Sequence, residues 1–185
     1  MNLNNLTLKT QEAIQTAQQY AFEKKHPQIE DEHLFYGLLE VDRNVVPFLF
    51  NKLDVDIEIL KGLNNKSLDK FSKVEGSTQM ISQKASKTLM NALSIAKKQK
   101  DEFVAAEHLL ISLLDSSSSV SKMMLDNGIT MKNLQNAIDE LRKGEKITSV
   151  NAEENYNALE KYAKNLNVLA TNGKLDPVIG RDEEI

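Results

Sequence analysis

Two Glu-His pairs, Glu32-His33 and Glu107-His108, are the residues whose types could support chemistry. A carboxylate beside an imidazole could take part in acid–base catalysis or in binding a metal ion. Zinc sites on helices, however, need two histidines four residues apart, and most metal sites need three or four ligands. His26, the third histidine, has no histidine counterpart near the second pair. We therefore predict no catalytic residues and no metal site, and interpret each pair as the start of a helix, where the dipole favours Glu.

Other reactive patterns are also missing from the sequence. There is no cysteine, so thiol catalysis and disulfides are excluded. The serine run 116–119 is not flanked by the glycines of a nucleophile elbow, and no G-x-x-x-x-G-K-[ST] phosphate-binding loop occurs. We predict that these residues form a binding module without enzyme activity and without a cofactor of their own.

Composition favours a helical protein of the cytoplasm. The chain has 185 residues, is 41% hydrophobic and 27% charged, and carries a net charge of −4 without a basic run, which argues against nucleic-acid binding. No signal sequence and no apolar run near 18 residues is present, so no membrane partner is expected. Glycine and proline are scarce, with 7 and 3 residues, which is typical of an all-α fold.

A repeat organises the chain. Residues 30–40 read EDEHLFYGLLE and residues 105–115 read AAEHLLISLLD, so that the same residue types recur at an offset of 75. The identical positions are Glu32/Glu107, His33/His108, Leu34/Leu109, Leu38/Leu113 and Leu39/Leu114. A copy of about 70 residues has little core of its own. We therefore predict two copies, at about 3–66 and 79–143, which pack with pseudo-twofold symmetry into one domain, 1–143.

Each copy is predicted to contain four helices. Thr7 and Ser82 are expected to cap the first helix, and the Glu-His-Leu segment forms the second. The third helix is short, at 45–50 and 120–125, and the fourth is capped by Asp56 or Thr130. Gly144 is expected to end the last helix, and residues 67–78 are expected to form the joining loop.

The sequence changes character after Gly144. Residues 144–155 are polar and without periodicity, which predicts a flexible linker. Residues 156–170 place apolar side chains on one helical stripe, and the remainder is interrupted at Gly173 and Pro177. With nothing left against which to bury that stripe, residues 156–185 are expected to belong to a longer protein.

The doubled unit resembles the Clp N-terminal repeat over residues 1–143. The matching positions are Thr7, Ile29, Glu32, His33, Leu34, Leu38 and Leu39 in the first copy and Ser82, Val104, Glu107, His108, Leu109, Leu113 and Leu114 in the second. Residues 156–162 and 173–185 are similar to the segment that leads into the first AAA+ module of ClpB-type disaggregases. ClpC-type unfoldases share only the LDPVIGR part of that segment.

The resemblance implies a function and partners. A ClpB-type N-domain would bind unfolded or aggregated polypeptides weakly and deliver them to the pore of a cytoplasmic AAA+ hexamer, which uses ATP and Mg and works with the DnaK system. The alternative is the docking of adaptors or degrons to a ClpC-type unfoldase. Client-handling roles would fall on Thr7, Asp101 and Glu107, and an apolar groove on Leu89, Asn91, Ile95 and His108. Val178 and Ile179 would border the nucleotide in the complete protein.

A purely structural role is the other interpretation of these positions. Leu89 and Ile95 lie on a helix whose apolar face packs into the core, Thr7 is a helix cap, and Asp101 and Glu107 flank a helix start.

Overall fold

The helices of the computed structural model follow the predicted repeat. The structure describes residues 3–76 and 78–155; the expected helix at 156–170, Val178 and Ile179 lie outside the described residues. The first copy comprises α1 (Leu8–Glu23), α2 (Asp31–Val41), α3 (Val45–Lys52) and α4 (Ile57–Leu68). The second comprises α5 (Gln83–Lys98), α6 (Ala106–Asp115), α7 (Ser119–Asp126) and α8 (Met131–Arg142), and α9 (Ala152–Asn155) follows.

Side-chain caps start the helices at the predicted positions. Thr7 Oγ1 accepts a hydrogen bond from the Thr10 amide, and Ser82 Oγ accepts one from Ala85. These bonds satisfy amides that have no partner within the first turn of a helix. At the other end of the domain, Lys143 adopts a left-handed conformation (φ 49°) directly before Gly144, so α8 ends where the sequence predicts.

The two copies exchange contacts across a shared core. The third helix of each copy packs on the fourth helix of the other, α3 on α8 and α4 on α7, while α2 and α6 meet in the middle. The repeated leucines of α2 and α6 are fully or almost fully buried in one continuous apolar cluster. Burial of these side chains, at about 1.5–3 kcal/mol each, is the main force that holds the copies together. The all-α double-repeat fold is thereby confirmed.

Short parallel strand pairings, which the sequence did not predict, also join the two copies. Strand β1 (Gln28–Ile29) pairs with β2 (Met80–Ile81), and a matching bridge joins Leu6 to Val104. At an offset of 75 these pairings are equivalent, so the entry to α1 lies beside the entry to α6, and the entry to α5 beside that to α2. Each N-terminal cap is thereby brought to the other copy.

The segment after α8 differs from the expected flexible linker. Ile147 is fully buried with Ala105 and Ala152, and the backbone of the segment bonds to the domain. Leu8 donates to the Val150 carbonyl at 2.9 Å. Sparse apolar residues in a polar segment leave no periodic signal, which is why the pattern predicted a linker. No helix within residues 3–76 and 78–155 is long and apolar enough to cross a membrane.

Candidate functional site

Three of the predicted client-handling positions lie close together below the surface. Thr7, Asp101 and Glu107 are all buried, at 0%, 8% and 0% exposure. Thr7 caps α1, Asp101 precedes α6, and Glu107 lies in the first turn of α6. They meet because the entries to α1 and α6 are paired across the two copies. Their side chains contact other parts of this chain, chiefly Arg142 and the segment after α8.

Arg142, the last residue of α8, joins two buried carboxylates. Its guanidinium lies 2.7 Å from Asp101 Oδ2 and 3.1 Å from Glu107 Oε1. Burial by itself raises the pKa of Asp101, but the hydrogen bond from the Ile147 amide and the Arg142 charge outweigh it, so this pKa lies below its usual value. Asp101 is therefore ionised, and His108 Nε2 lies 2.9 Å from the same carboxylate.

Backbone bonding decides the tautomer of His108. Its Nδ1 accepts a hydrogen bond from the Ala105 amide, so Nε2 carries the hydrogen and donates to Asp101. Burial lowers the pKa of His108, and the nearby Arg142 charge also opposes protonation. His108 is therefore neutral and bonds within the first turn of α6, at the helix start predicted for this Glu-His pair.

The first copy places a different pair at the same point. His26, at the position of Asp101, lies with Nδ1 2.8 Å from Nε2 of His33. His33 Nδ1 accepts from the Glu30 amide, so Nε2 of His33 donates to His26. Phe71 stacks on His33 with an interplanar angle of 14°. Burial, followed by the neighbouring His26, lowers the pKa of His33 to about 4.

A buried carboxylate of the C-terminal segment reaches the same region. Glu153, which is 1% exposed, accepts with Oε1 from the Thr7 hydroxyl at 2.5 Å and from the Ala106 amide at 3.1 Å. Burial, followed by the charge of Glu107, raises the pKa of Glu153 to about 7. Nothing in the polar sequence around Glu153 indicated this contact.

The predicted apolar groove is not an open groove in the structure. Leu89 and His108 are buried, and Ile95 is half-buried against the core. Asn91 is likewise partly exposed, and its amide donates to Asp115 on α6 at 3.2 Å. Leu89 thus follows the alternative interpretation of core packing, whereas Ile95 lies at the edge of the buried face of α5 and packs against the core with part of its side chain exposed.

A different groove does open between α5 and α6. It has a volume of about 480 Å³ and is lined by side chains of polar type, namely Gln83, Lys84, Lys87, Thr88, Asn91, Ser112, Asp115, Ser116 and Ser117. At its floor Ser112 Oγ donates to the Thr88 carbonyl at 2.6 Å. This cleft is accessible and offers hydroxyl, amide, ammonium and carboxylate groups, although most of the accessible surface inside it is apolar.

The groove follows from one difference between the copies. Gly37 occupies the position of Ser112 in the first copy, and a Cβ at Gly37 would lie 2.0 Å from the Ala13 carbonyl oxygen. Helix α1 therefore packs directly on α2, whereas the Ser112 side chain holds α5 further from α6. The offset alignment places glycine against serine here, so the signal was present in the sequence, but its consequence depends on packing.

Within 3–76 and 78–155, no group of three or more His, Asp or Glu side chains is arranged to hold a metal ion. Near Glu107, Arg142 donates to the Glu107 carboxylate and the Ile147 amide donates to Asp101.

The fold and the doubled helix starts define a family. The family described as "Clp repeat (R) N-terminal domain" matches residues 5–128 and 80–162, and the chain belongs to it. Over all of its 185 residues the chain is 45% identical to the chaperone protein ClpB of Bacteroides thetaiotaomicron and 40% identical to that of Porphyromonas gingivalis. It spans 22% and 21% of these two relatives.

Solved structures share the fold at low sequence identity. The N-terminal domain of Hsp104 from Candida albicans is 21% identical with a TM-score of 0.73, and the match covers 81% of this chain and 99% of that domain. The ClpV N-domain in complex with a VipB peptide is 15% identical with a TM-score of 0.64, covering 77% of this chain and 90% of that one. This chain is accordingly a Clp chaperone N-domain, and the sequence-based recognition is confirmed.

Proposed function

We propose that this domain is the client-binding part of a ClpB-type disaggregase and binds unfolded or aggregated polypeptide segments in the groove between α5 and α6. The groove carries the proposal, because it is an accessible cleft of about 480 Å³ between two helices of a chaperone N-domain. A related fold, the ClpV N-domain, has been solved with a peptide, which supports peptide binding as a use of this architecture. We assign client binding to this groove rather than to the apolar groove that was expected on Leu89, Asn91, Ile95 and His108.

The lining of the groove suits a site that accepts many sequences. Amide side chains such as Asn91 and Gln83 can bond to the backbone of an extended peptide, which different sequences share, and the apolar surface of the cleft can contact its side chains. Met90, which is 66% exposed, lies three residues after Lys87 on the same face of α5. Its flexible thioether side chain offers an adaptable apolar contact beside the groove.

Such a site binds weakly. One or two apolar contacts contribute roughly 1.5–3 kcal/mol each, and association costs several kcal/mol, so we expect dissociation constants of about millimolar to tens of micromolar. Weak binding lets a chaperone accept many segments and release them. Several tethered copies would raise the local concentration and recover avidity.

The complete protein would supply the remaining activity. By similarity to the ClpB relatives, we propose a cytoplasmic hexamer of AAA+ modules that uses ATP and Mg and works with the DnaK system. The described residues take no part in ATP chemistry in this proposal. They hold the client above the modules that do the mechanical work.

An NMR titration with a permanently unfolded polypeptide tests the binding site. Resonances around Met90, Asn91 and Ser112 should shift, and Met90→Glu should weaken binding about fivefold or more through the loss of an apolar contact. Gln15→Glu is the matched control, because Gln15 occupies the position of Met90 on α1 and receives the same charge change. Shifts confined to another face, or equal losses in both variants, would reject the groove.

A further inference from the structure

The segment 145–153, here called the strap, runs back along the domain. The Glu102 amide donates to the Ile147 carbonyl at 2.8 Å, and the Leu8 amide donates to the Val150 carbonyl at 2.9 Å. The Ile147 amide donates to Asp101 Oδ1 at 2.9 Å, and the Ile147 side chain is fully buried. The strap is thus held by backbone bonds and by one apolar anchor.

Glu153 forms the end of this attachment. Its Oε1 is shared by the Thr7 hydroxyl and the Ala106 amide, at the starts of α1 and α6. Two helix N-termini and a hydroxyl donor form a cradle for this oxygen, but burial and the charge of Glu107 outweigh the attraction of the cradle for an anion, so the pKa of Glu153 is raised. The second oxygen, Oε2, is buried without a hydrogen-bond partner. The carboxyl group of Glu153 is therefore held by the domain through Oε1, while Oε2 is buried without a donor.

The other copy shows why the cradle needs the strap. Ser82, at the position of Thr7, donates to Glu30 Oε2 at 2.7 Å, so the first copy uses a carboxylate of its own at the start of α2. The position of Glu30 is Ala105 in the second copy, which has no side-chain acceptor. Glu153, 146 residues from Thr7 along the chain, provides the missing carboxylate.

We propose that the strap is a releasable latch, in which Glu153 docked on Thr7 and Ala106 holds residues 145–153 against the domain. Release of these nine residues would free up to about 30 Å of extended chain. The latch is independent of the client site proposed above, since it uses different residues.

The charge of Glu153 controls the latch. Glu107 of α6 faces it, Arg142 of α8 is engaged with Glu107 and Asp101, and His108 bonds to Asp101. The pKa of Glu153 is raised to about 7 in the docked state, so docking is favoured while it is protonated. As the pH rises through about 7, the docked carboxylate ionises beside Glu107, and the strap loosens.

Amide hydrogen exchange of the 185-residue chain, corrected for intrinsic rates, tests the latch. The Leu8, Glu102 and Ile147 amides should lose about tenfold in protection between about pH 6 and pH 8.5, which is the fold-change that a Glu with docked and free pKa values near 7 and 4.5 produces. The Ser82 amide, which bonds to Ile29 at the equivalent point of the other copy, should not change.

Two variants separate the latch from general stability. Glu153→Gln keeps an acceptor without a charge, so protection of the strap amides should become independent of pH. Glu153→Ala should lower their protection at both pH values and leave the Ser82 amide protected. The proposal is overturned if Glu153→Gln retains the tenfold change, or if Glu153→Ala leaves the strap amides as protected as before.

Discussion

His26 and Asp101 occupy the same position in the two repeats, and each bonds to the histidine seven residues further along the chain. In the first repeat the pair is neutral and covered by an aromatic ring, whereas in the second Arg142 completes a buried ionic network. The position of Arg142 at the end of α8 is taken by Leu68 at the end of α4. The two repeats therefore bury an imidazole at the same backbone position with different partners, a neutral histidine in the first and an ionised aspartate in the second.

The buried pair of His26 and His33 should make the folded protein less stable in acid. The pKa of His33 is about 4 in the folded protein and near 6.5 when unfolded, so the unfolded chain binds the proton first. The contribution is present above about pH 6.5 and is lost as the pH falls towards 4. Between about pH 7.5 and pH 4 the free energy of unfolding should fall by about 3 kcal/mol from this residue, as measured by urea unfolding.

A glutamine variant isolates the effect of that histidine from the other titrating groups. His33→Gln keeps an acceptor for the Glu30 amide but cannot be protonated. Its acid slope should be shallower than that of the parent chain by about 3 kcal/mol over the same range. An unchanged slope would show that His33 does not titrate with a lowered pKa.

Removing Arg142 should be costly, because it would leave two carboxylates buried without their cation. Arg142→Leu, which copies Leu68 of the first repeat, should lower the free energy of unfolding by about 3–5 kcal/mol. Glu75→Ala removes the exposed Lys25–Glu75 pair and should cost less than about 1 kcal/mol. Similar losses in both variants, in thermal or urea unfolding, would contradict the importance of the buried network.

The glycine on α2 should be intolerant of any side chain. Gly37→Ala places Cβ against the Ala13 carbonyl oxygen, and overpacking against a backbone atom should cost about 3 kcal/mol or more. Gly62→Ala is the control, since Gly62 is exposed on α4 and has no atom within 4 Å of a new Cβ. That variant should gain about 0.5–1 kcal/mol of helix propensity, and a destabilised Gly62→Ala would contradict the comparison.

Substitutions at Thr7 and Ser82 distinguish the helix-capping role of Thr7 from its contact with the strap. Thr7→Val removes both the cap of α1 and the donor to Glu153, whereas Ser82→Ala removes the equivalent cap of α5 without touching the strap. Each loss of a cap should cost about 1 kcal/mol. Only Thr7→Val should also reduce the exchange protection of the Leu8 amide; an equal reduction in Ser82→Ala would assign Thr7 to capping alone.

Much of the architecture could be predicted from local patterns. The repeated Glu-His-Leu segments, the caps at Thr7 and Ser82, and the apolar stripes identified two four-helix copies, because helix periodicity and capping act between residues a few positions apart. The family follows from the same segments.

Only the tertiary structure decided the accessible surfaces and the polar partners. In the sequence Leu89 and His108 were assigned to an accessible groove, yet both are buried. Ser112 keeps a cleft open between α5 and α6, whereas Gly37 lets the equivalent helices of the other copy pack together. The contact of Glu153 with Thr7 joins opposite ends of the described chain. Pairings of this kind leave no local pattern, because which buried polar groups face each other depends on how distant helices pack, and the sequence by itself determined the helices rather than their approach.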